Sequence, residues 1–319
     1  MVHAGKITTF IAAIIFVSVT LGAAAPYPSG TVRLICWSSA GSPLDVMMRQ
    51  LGKQFSEMFG QTFIVENRPG GEGAVAMAAV TNHQADGSMI LSTTSSMSFA
   101  MATKDIQYGP DNFIVLPPLQ TEPSAIAVRR DSQFKTMKQL VDFMHDNPDK
   151  LSVGGFSAAG FHQYVFYRLQ KIAGFKTLWV PFKGGSDAAL ALLGGHIDVA
   201  VMTPSSATAQ VKGGELRLLG ISSAKRSEYF PDVPTFKEQG YDVVESIWRG
   251  VMVKADTPKP VVETLVLAID KVKRSEEWEN FSALNMQSSV DTSLDDMQKQ
   301  VRAEIASDRE FLETVGPRK

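Results

Sequence analysis

The chain has 319 residues, a formal net charge of -2 at pH 7 and 44% hydrophobic residues. That balance fits one or two ordinary globular domains and excludes the basic face that a nucleic-acid binder needs. One cysteine, Cys36, leaves no internal disulfide, and none of the five histidines falls in a metal-ligand spacing.

Residues 1–24 read as a signal peptide. Lys6 is the charged start, Ile7 to Leu21 the apolar stretch, and Gly22-Ala23-Ala24-Ala25 the small-residue cleavage zone. Pro26 disfavours a cut directly before it, which places the cut after Ala24. The apolar run is short of a membrane span. Export to the periplasm is therefore expected, and Cys36, placed at a strand end, reads as a small buried hydrophobe.

Val32 to Cys36 is an apolar strand. After it, Leu44, Met47, Met48, Leu51, Phe55, Met58 and Phe59 trace one face of a helix. Ser42 suits its N-cap, Pro43 its first position and Gly60 its stop. The connecting loop, Trp37-Ser38-Ser39-Ala40-Gly41-Ser42, carries small residues after Trp37 at a helix amino end, a geometry that suits an anion. The Ser42 N–H is expected to be one of its donors. A plain βα turn with its donors in water is the alternative.

Strand Thr62 to Glu66, the turn Asn67 to Gly73, a short helix Ala74 to Val80 and strand Ser88 to Thr93 follow. The hydroxyl-rich stretch Thr94-Ser95-Ser96-Met97-Ser98 reads as a loop opening on the same side. Ser124 to Val128 reads as a strand crossing into a second domain, and Lys135 to His145 as a helix. Strand Leu151 to Gly154 leads into a second small-residue loop, Gly155 to His162, ahead of a helix that stops at Gly174. Strand Leu178 to Val180 ends at Pro181-Phe182-Lys183-Gly184-Gly185, with Ser186 capping a helix to Leu193. Strand Ile197 to Met202 runs into Thr203-Pro204-Ser205-Ser206, and Leu216 to Ser222 is a further strand. Trp248 to Val253 reads as the return crossing, before helices Pro260 to Lys273, Glu276 to Leu284 and Leu294 to Val315. Alternating strands and helices predict an α/β chain with a mostly parallel sheet in each half. Residues 25–123 and 248–319 are assigned to the first domain and 124–247 to the second.

Two motifs invite enzymatic readings. Gly71-x-Gly73-x-x-Ala76 imitates a dinucleotide fingerprint, but no acidic partner follows at a strand end, so a structural turn and no cofactor are expected. Gly155-Phe156-Ser157-Ala158-Ala159 resembles a hydrolase elbow, which makes a secreted esterase using Ser157 one alternative. Neither His162 nor His196 is placed to serve as its base. Lys183 could pair with a carboxylate. Trp37, Phe156, Phe161 and Phe182 beside the loops hint at a flat ligand.

Val65-Glu66-Asn67-Arg68-Pro69-Gly70, Asp86-Gly87, Val180-Pro181-Phe182-Lys183-Gly184, Lys225-Arg226 and Pro231-Asp232-Val233-Pro234-Thr235-Phe236 stand in an order that resembles the solute receptors of tripartite tricarboxylate transporters, the Bug-type periplasmic binding proteins. The resemblance covers Tyr27 to about Gly316. It implies a two-domain flytrap fold, type II-like, with helices on both faces of its sheets. It also implies a non-enzymatic, monomeric receptor that hands a small organic acid to membrane permease subunits; a periplasmic sensor for a signalling partner is a further alternative. In such receptors backbone N–H groups of two cleft loops hold a ligand carboxylate. Carried over, the first loop supplies Ser38, Ser39, Ala40, Gly41, Ser42 and Asp45, and the second Phe156, Ser157, Ala158, Ala159, Gly160 and His162. Trp37, Ser95, Ser96, Lys183 and Thr203 complete the expected site. The first loop departs from the family pattern at Trp37, Ser38, Ser42 and Leu44. The ligand class is a di- or tricarboxylate with an aliphatic dicarboxylate as the default; a phthalate-like aromatic diacid is the alternative, and with aromatic walls from Trp37, Phe156 and Phe161 it is expected to bind more tightly than an aliphatic one.

Overall fold

The computed structural model describes residues 1, 27–103 and 106–315. The expected signal peptide lies outside the described residues. Among them, no helix is long and apolar enough to cross a membrane.

β1 (Val32–Cys36) feeds α1 (Pro43–Phe59), and the local signals act as the spacing predicts. Ser42 Oγ accepts the Asp45 N–H at 3.2 Å, Pro43 opens the helix, and Gly60 closes it at φ 63°. Met47, Met48, Leu51 and Phe55 are fully buried. Each such side chain stabilises the fold by roughly 1.5–3 kcal/mol through burial. Ser42→Ala should cost about 1 kcal/mol, the usual worth of an N-cap. Urea denaturation measures it, and an unchanged midpoint would show the cap to be idle.

β2 (Phe63–Asn67), α2 (Ala74–Thr81), β3 (Met89–Thr94) and α3 (Ser95–Ala102) come next. The expected loop at Ser95–Ser98 is thus the start of a helix. Thr94 caps it by accepting the Ser96 N–H at 3.0 Å, and every residue of α3 is buried. Tertiary burial here overrides the weak helix preference of consecutive serines. β4 (Phe113–Val115) and β5 (Gln120–Pro123) are short strands that the sequence pattern did not reveal.

β6 (Ala125–Arg129), α4 (Met137–Asp146), β7 (Ser152–Phe156), α5 (Phe161–Ala173), β8 (Leu178–Phe182), α6 (Gly185–Leu193), β9 (Val199–Met202), α7 (Thr208–Lys212) and β10 (Leu216–Ile221) build the second half. β7 runs through Gly155 and Phe156, which pair with Pro181 and Phe182, so the second loop is shorter than expected. Gly184, not Ser186, stands at the N-cap of α6. β11 (Ser246–Lys254) returns to the first half, followed by α8 (Lys259–Lys273), α9 (Glu276–Leu284) and α10 (Leu294–Val315).

The strands form two sheets. The first has the order β2-β1-β3-β11-β4, with β5 also on β11; the second runs β10-β6-β9-β7-β8. Strands joined through helices pair parallel, as β1 does with β2 and β3, and β7 with β8 and β9. Pairs involving β6 and β11, the crossing strands, are antiparallel. Each crossing strand enters its sheet from the opposite end, and that reverses its direction. Both faces of the second sheet are covered, with Ile126 and Val128 in one apolar cluster and Ala125 and Ala127 in another. This is the period-two split of a buried strand.

The two crossings are tied together. The Ser124 N–H donates to Ser222 Oγ at 2.9 Å, and the Ser222 N–H to Ser124 O at 2.8 Å. The Ser222 hydroxyl in turn donates to Glu245 O at 2.6 Å.

Candidate functional site

The carboxyl ends of β1, β3, β7, β8 and β9 all open on one cleft, where ligands of open α/β sheets bind. An inner cavity of about 60 Å³ is lined there by the cap Ser42 with Pro43 and Leu44 of α1, the cap Thr94 with Ser96 of α3, and His162 of α5. Gly184 and Gly185 of α6, Thr203, Ser206, Ile247 and Arg249 complete its lining. Trp37, Ser38 and Phe156 border it and also a wider outer cavity of about 470 Å³, which Ser39, Glu72, Ser157, Phe182 and Lys183 share. Four helices therefore aim their amino ends at the inner cavity, each with roughly half a positive charge and unpaired N–H groups. Gly185 lets α6 approach the turn after β9 closely, since a Cβ there would stand 2.4 Å from Ser206 Oγ.

Of the expected residues, Trp37, Ser38, Ser39, Ser42, Ser96, Phe156, Ser157, His162, Lys183 and Thr203 line one or both cavities. The others do not. Ala40, Gly41 and Ala158 are solvent-exposed, Ala159 is half-buried, and Gly160 is the N-cap of α5. Ser95 faces away from the cleft and accepts the Trp248 N–H at 3.1 Å. Phe161, expected as a cleft wall, points behind it into the core. Adjacent helical residues face different sides, so His162 takes the cleft and Phe161 the core.

Asp45 acts from behind the loop. Its carboxylate accepts the Gly41 N–H at 2.9 Å, Arg49 Nε at 3.0 Å and Asn67 Nδ2 at 2.8 Å. Burial raises its pKa, but the bonds from Arg49, Gly41 and Asn67 outweigh burial and hold it below the usual carboxylate value. The Ser42 N–H is likewise turned inward, donating to Ser39 O at 3.2 Å. It is not a free anion donor; the Leu44 N–H, two residues on, has no protein partner among the described residues.

Ser157 sits at φ 65° and its hydroxyl donates to Glu72 Oε1 at 2.6 Å. Glu72 itself sits at φ 53°. Two non-glycine residues in the left-handed region meet where the halves of the chain face each other, the kind of strain that collects at functional sites. Among the described residues, no histidine bonds to Ser157. His162 is buried and its Nδ1 lies 2.9 Å from Ser124 Oγ. Burial, with Arg249 nearby, pushes its pKa down to about 3, so the ring is neutral at physiological pH. Lys183 is exposed at the outer cavity and forms no ion pair among the described residues.

Three charged residues of the cleft went unrecognised in the sequence. Arg249, 3% exposed, pairs with Glu122, 1% exposed, at 2.8 Å and reaches Thr203 Oγ1 at 3.3 Å. Glu122 also accepts the Ser205 N–H at 2.6 Å and the Ser205 hydroxyl at 2.7 Å. Burial raises the Glu122 pKa against the pull of Arg249 and Ser205. The third, Glu72, lay in a glycine-rich turn. One signal for Arg249 was available: a lone cation amid the apolar run of a strand is rarely buried without a partner or a role. The aromatic contact of the mouth is Trp37 on Phe156, with centroids 5.7 Å apart. Trp37 Nε1 is buried without a partner among the described residues.

With the geometry in place, comparison with known proteins gives consistent findings. A family model described as the tripartite tricarboxylate transporter family receptor matches residues 47–316. The solved structure of the periplasmic binding protein BugD is 26% identical, with a TM-score of 0.81 over 91% of this chain and 99% of that one. MatC from Rhodopseudomonas palustris with bound malate is 21% identical, with a TM-score of 0.82 over 89% of this chain and 99% of that one. A second R. palustris protein, with adipate, is 24% identical, with a TM-score of 0.83 over 91% of this chain and 98% of that one.

Proposed function

We propose, from the premise that the chain belongs to the tripartite tricarboxylate transporter family of receptors, that it binds a short aliphatic dicarboxylate between its two halves and delivers it to membrane permease subunits. It is a binding protein and not an enzyme. The carrying observation is the inner cavity, where four helix amino ends and the Arg249 guanidinium line one space. One carboxylate would take N–H groups at the helix ends, the Leu44 N–H among them. The other would lie on Arg249, whose guanidinium has five donors and, among the described residues, spends two bonds on Glu122 and Thr203. Trp37, Ser38, Ser39, Ser42, Ser96, Phe156, Ser157, Lys183 and Thr203 form the surrounding lining in this reading, with Asp45 holding the first loop in shape.

Residues 25–123 with 248–319 act as one lobe and 124–247 as the other, and closure pivots on the crossings tied at Ser124 and Ser222. Ligand contacts to both lobes favour the closed arrangement. Similar proteins that hold malate and adipate support a diacid of four to six carbons. An aromatic diacid is disfavoured because Phe161 belongs to the core, while Trp37 and Phe156 pack on one another across the mouth. The exported location expected from the leader agrees with the periplasmic setting of this family.

Calorimetric titration with succinate, adipate, phthalate and propionate tests the reading. Saturable binding of an aliphatic diacid, at least about tenfold tighter than phthalate or propionate, is the expected result. Tighter phthalate binding would restore the aromatic reading, and no binding of any acid would remove the carboxylate reading.

A further inference from the structure

A second cavity, of about 270 Å³, lies behind the inner one. The two share a wall of consecutive residues: Ser96, His162 and Ile247 face the first, and Ser95, Phe161 and Ser246 the second. α10 closes the far side. Nothing in the carboxylate reading uses this space, and its chemistry is of opposite sign.

Three carboxylates line it: Glu245, Glu304 and Asp308. Glu245 is paired with Arg168. Glu304 accepts Trp248 Nε1 at 2.9 Å, Gln300 Nε2 at 2.8 Å and the Ser98 hydroxyl at 3.1 Å. Asp308 has none of this. It is 4% exposed, it forms no ion pair or side-chain hydrogen bond among the described residues, and its Oδ2 is buried without a donor. Burial, reinforced by Glu304 and Glu245, raises its pKa to about 8. A buried carboxylate without a donor costs free energy unless a cation or a proton meets it.

The geometry narrows the cation. No group of three metal-ligating side chains among the described residues is arranged to hold a metal ion. Divalent ions of the hard class need six or more oxygen ligands at short range. An alkylammonium needs only two or three acceptors and an apolar surface for its carbon body. Phe99, Phe161 and Tyr164 supply that surface, and aromatic faces also attract an ammonium.

We propose that this cavity is a binding site for a small organic ammonium ion, anchored on the Asp308 carboxylate, with Glu304 and Glu245 supplying further negative charge and Phe99 and Tyr164 walling its carbon body. The site is separate from the carboxylate cleft and does not depend on that assignment.

Titration calorimetry with 1,4-diaminobutane and n-butylamine, in sodium chloride of matched ionic strength at about pH 8.5, tests it. Saturable binding with a Kd of about 1 mM or tighter is expected. Asp308→Asn should weaken it at least about tenfold, because the charge-assisted bond is lost. Asparagine keeps the shape of the protonated carboxyl, and thermal melting checks that the variant folds. Near pH 7, binding to the parent protein should release protons, detected in buffers of different ionisation enthalpy, and binding to Asp308→Asn should not. No saturable heat in the folded parent, or equal amine affinity in Asp308→Asn, would overturn the proposal. So would Asp308-dependent binding of magnesium chloride in preference to the amines, which would make the site a metal site.

Discussion

Replacing Arg249 by Met is expected to weaken dicarboxylate binding by about 10- to 100-fold, the worth of one charge-assisted hydrogen bond. It should also destabilise the fold by about 3–5 kcal/mol, because it leaves Glu122 buried without its cation. The second effect carries a pH signature. Burial already raises the Glu122 pKa, and loss of Arg249 raises it further. Its folded pKa then stands well above the unfolded value of about 4.3, so the variant loses stability as pH rises through that interval. The double variant Arg249→Met with Glu122→Gln separates the two roles. Stability should recover in large part while affinity stays low. If the double variant binds a diacid as the parent does, Arg249 is a structural residue only.

His162→Gln is expected to change the acid branch of the stability curve by about one proton. The ring is buried and its pKa falls to about 3 in the fold, against about 6.5 in the unfolded chain. Between those values the unfolded state binds the extra proton. His162 therefore makes stability fall as pH falls, with a limiting slope of about 1.4 kcal/mol per pH unit. Asp308, raised to about 8, contributes the opposite slope over part of the range. It does so in both proteins, so the readout is the difference between them. Asp45 and Glu66 have lowered pKa values, Glu66 to about 2, where hydrogen bonding to Arg33 is the largest cause. Their contributions are present above the unfolded carboxylate pKa and are lost only as pH falls below about 4. Across the window from about pH 4.5 to 6.5 the raised carboxylates Asp308, Glu122, Glu245 and Glu304 oppose the histidine in both proteins, and the difference between parent and variant is the histidine's. Equal slopes in parent and variant across that window would mean that His162 titrates freely. Because the ring stays neutral, diacid affinity should not change through His162 over the same range.

The first cleft loop was readable because its causes are local. Ser42, Pro43 and Gly60 fix the ends of α1 by interactions with residues three or four positions away. The apolar spacing between them fixes which face is buried. The strand end ahead of Thr203 was legible in the same way, whereas β7 runs two residues past the expected Gly154 before it reaches Ser157. That these ends share one cleft follows from the alternation of strands and helices, and the family resemblance in Asn67-Arg68-Pro69-Gly70 and Val180-Pro181-Phe182-Lys183-Gly184 pointed to the same architecture.

Other features depend on contacts that no local pattern encodes. Ser95 to Ala102 is helical because it is buried on all sides and α10 packs against it. β4 and β5 are too short to show a period, and they exist as strands only because β11 offers them an edge. The direction of β11 is set by the crossing it completes, not by its own residues. Sequence by itself determined the fold class, the ends of the well-capped elements and the loops that face the cleft, since each rests on spacings of two to four residues. Tertiary structure alone decided what the cleft is made of. It turned Phe161 into the core and His162 toward the cleft, used up the Ser42 N–H inside its own loop, and set Arg249 on Glu122 across 127 residues of chain. A buried ion pair needs the two charges desolvated together, and that condition arises only once both strands are in one sheet.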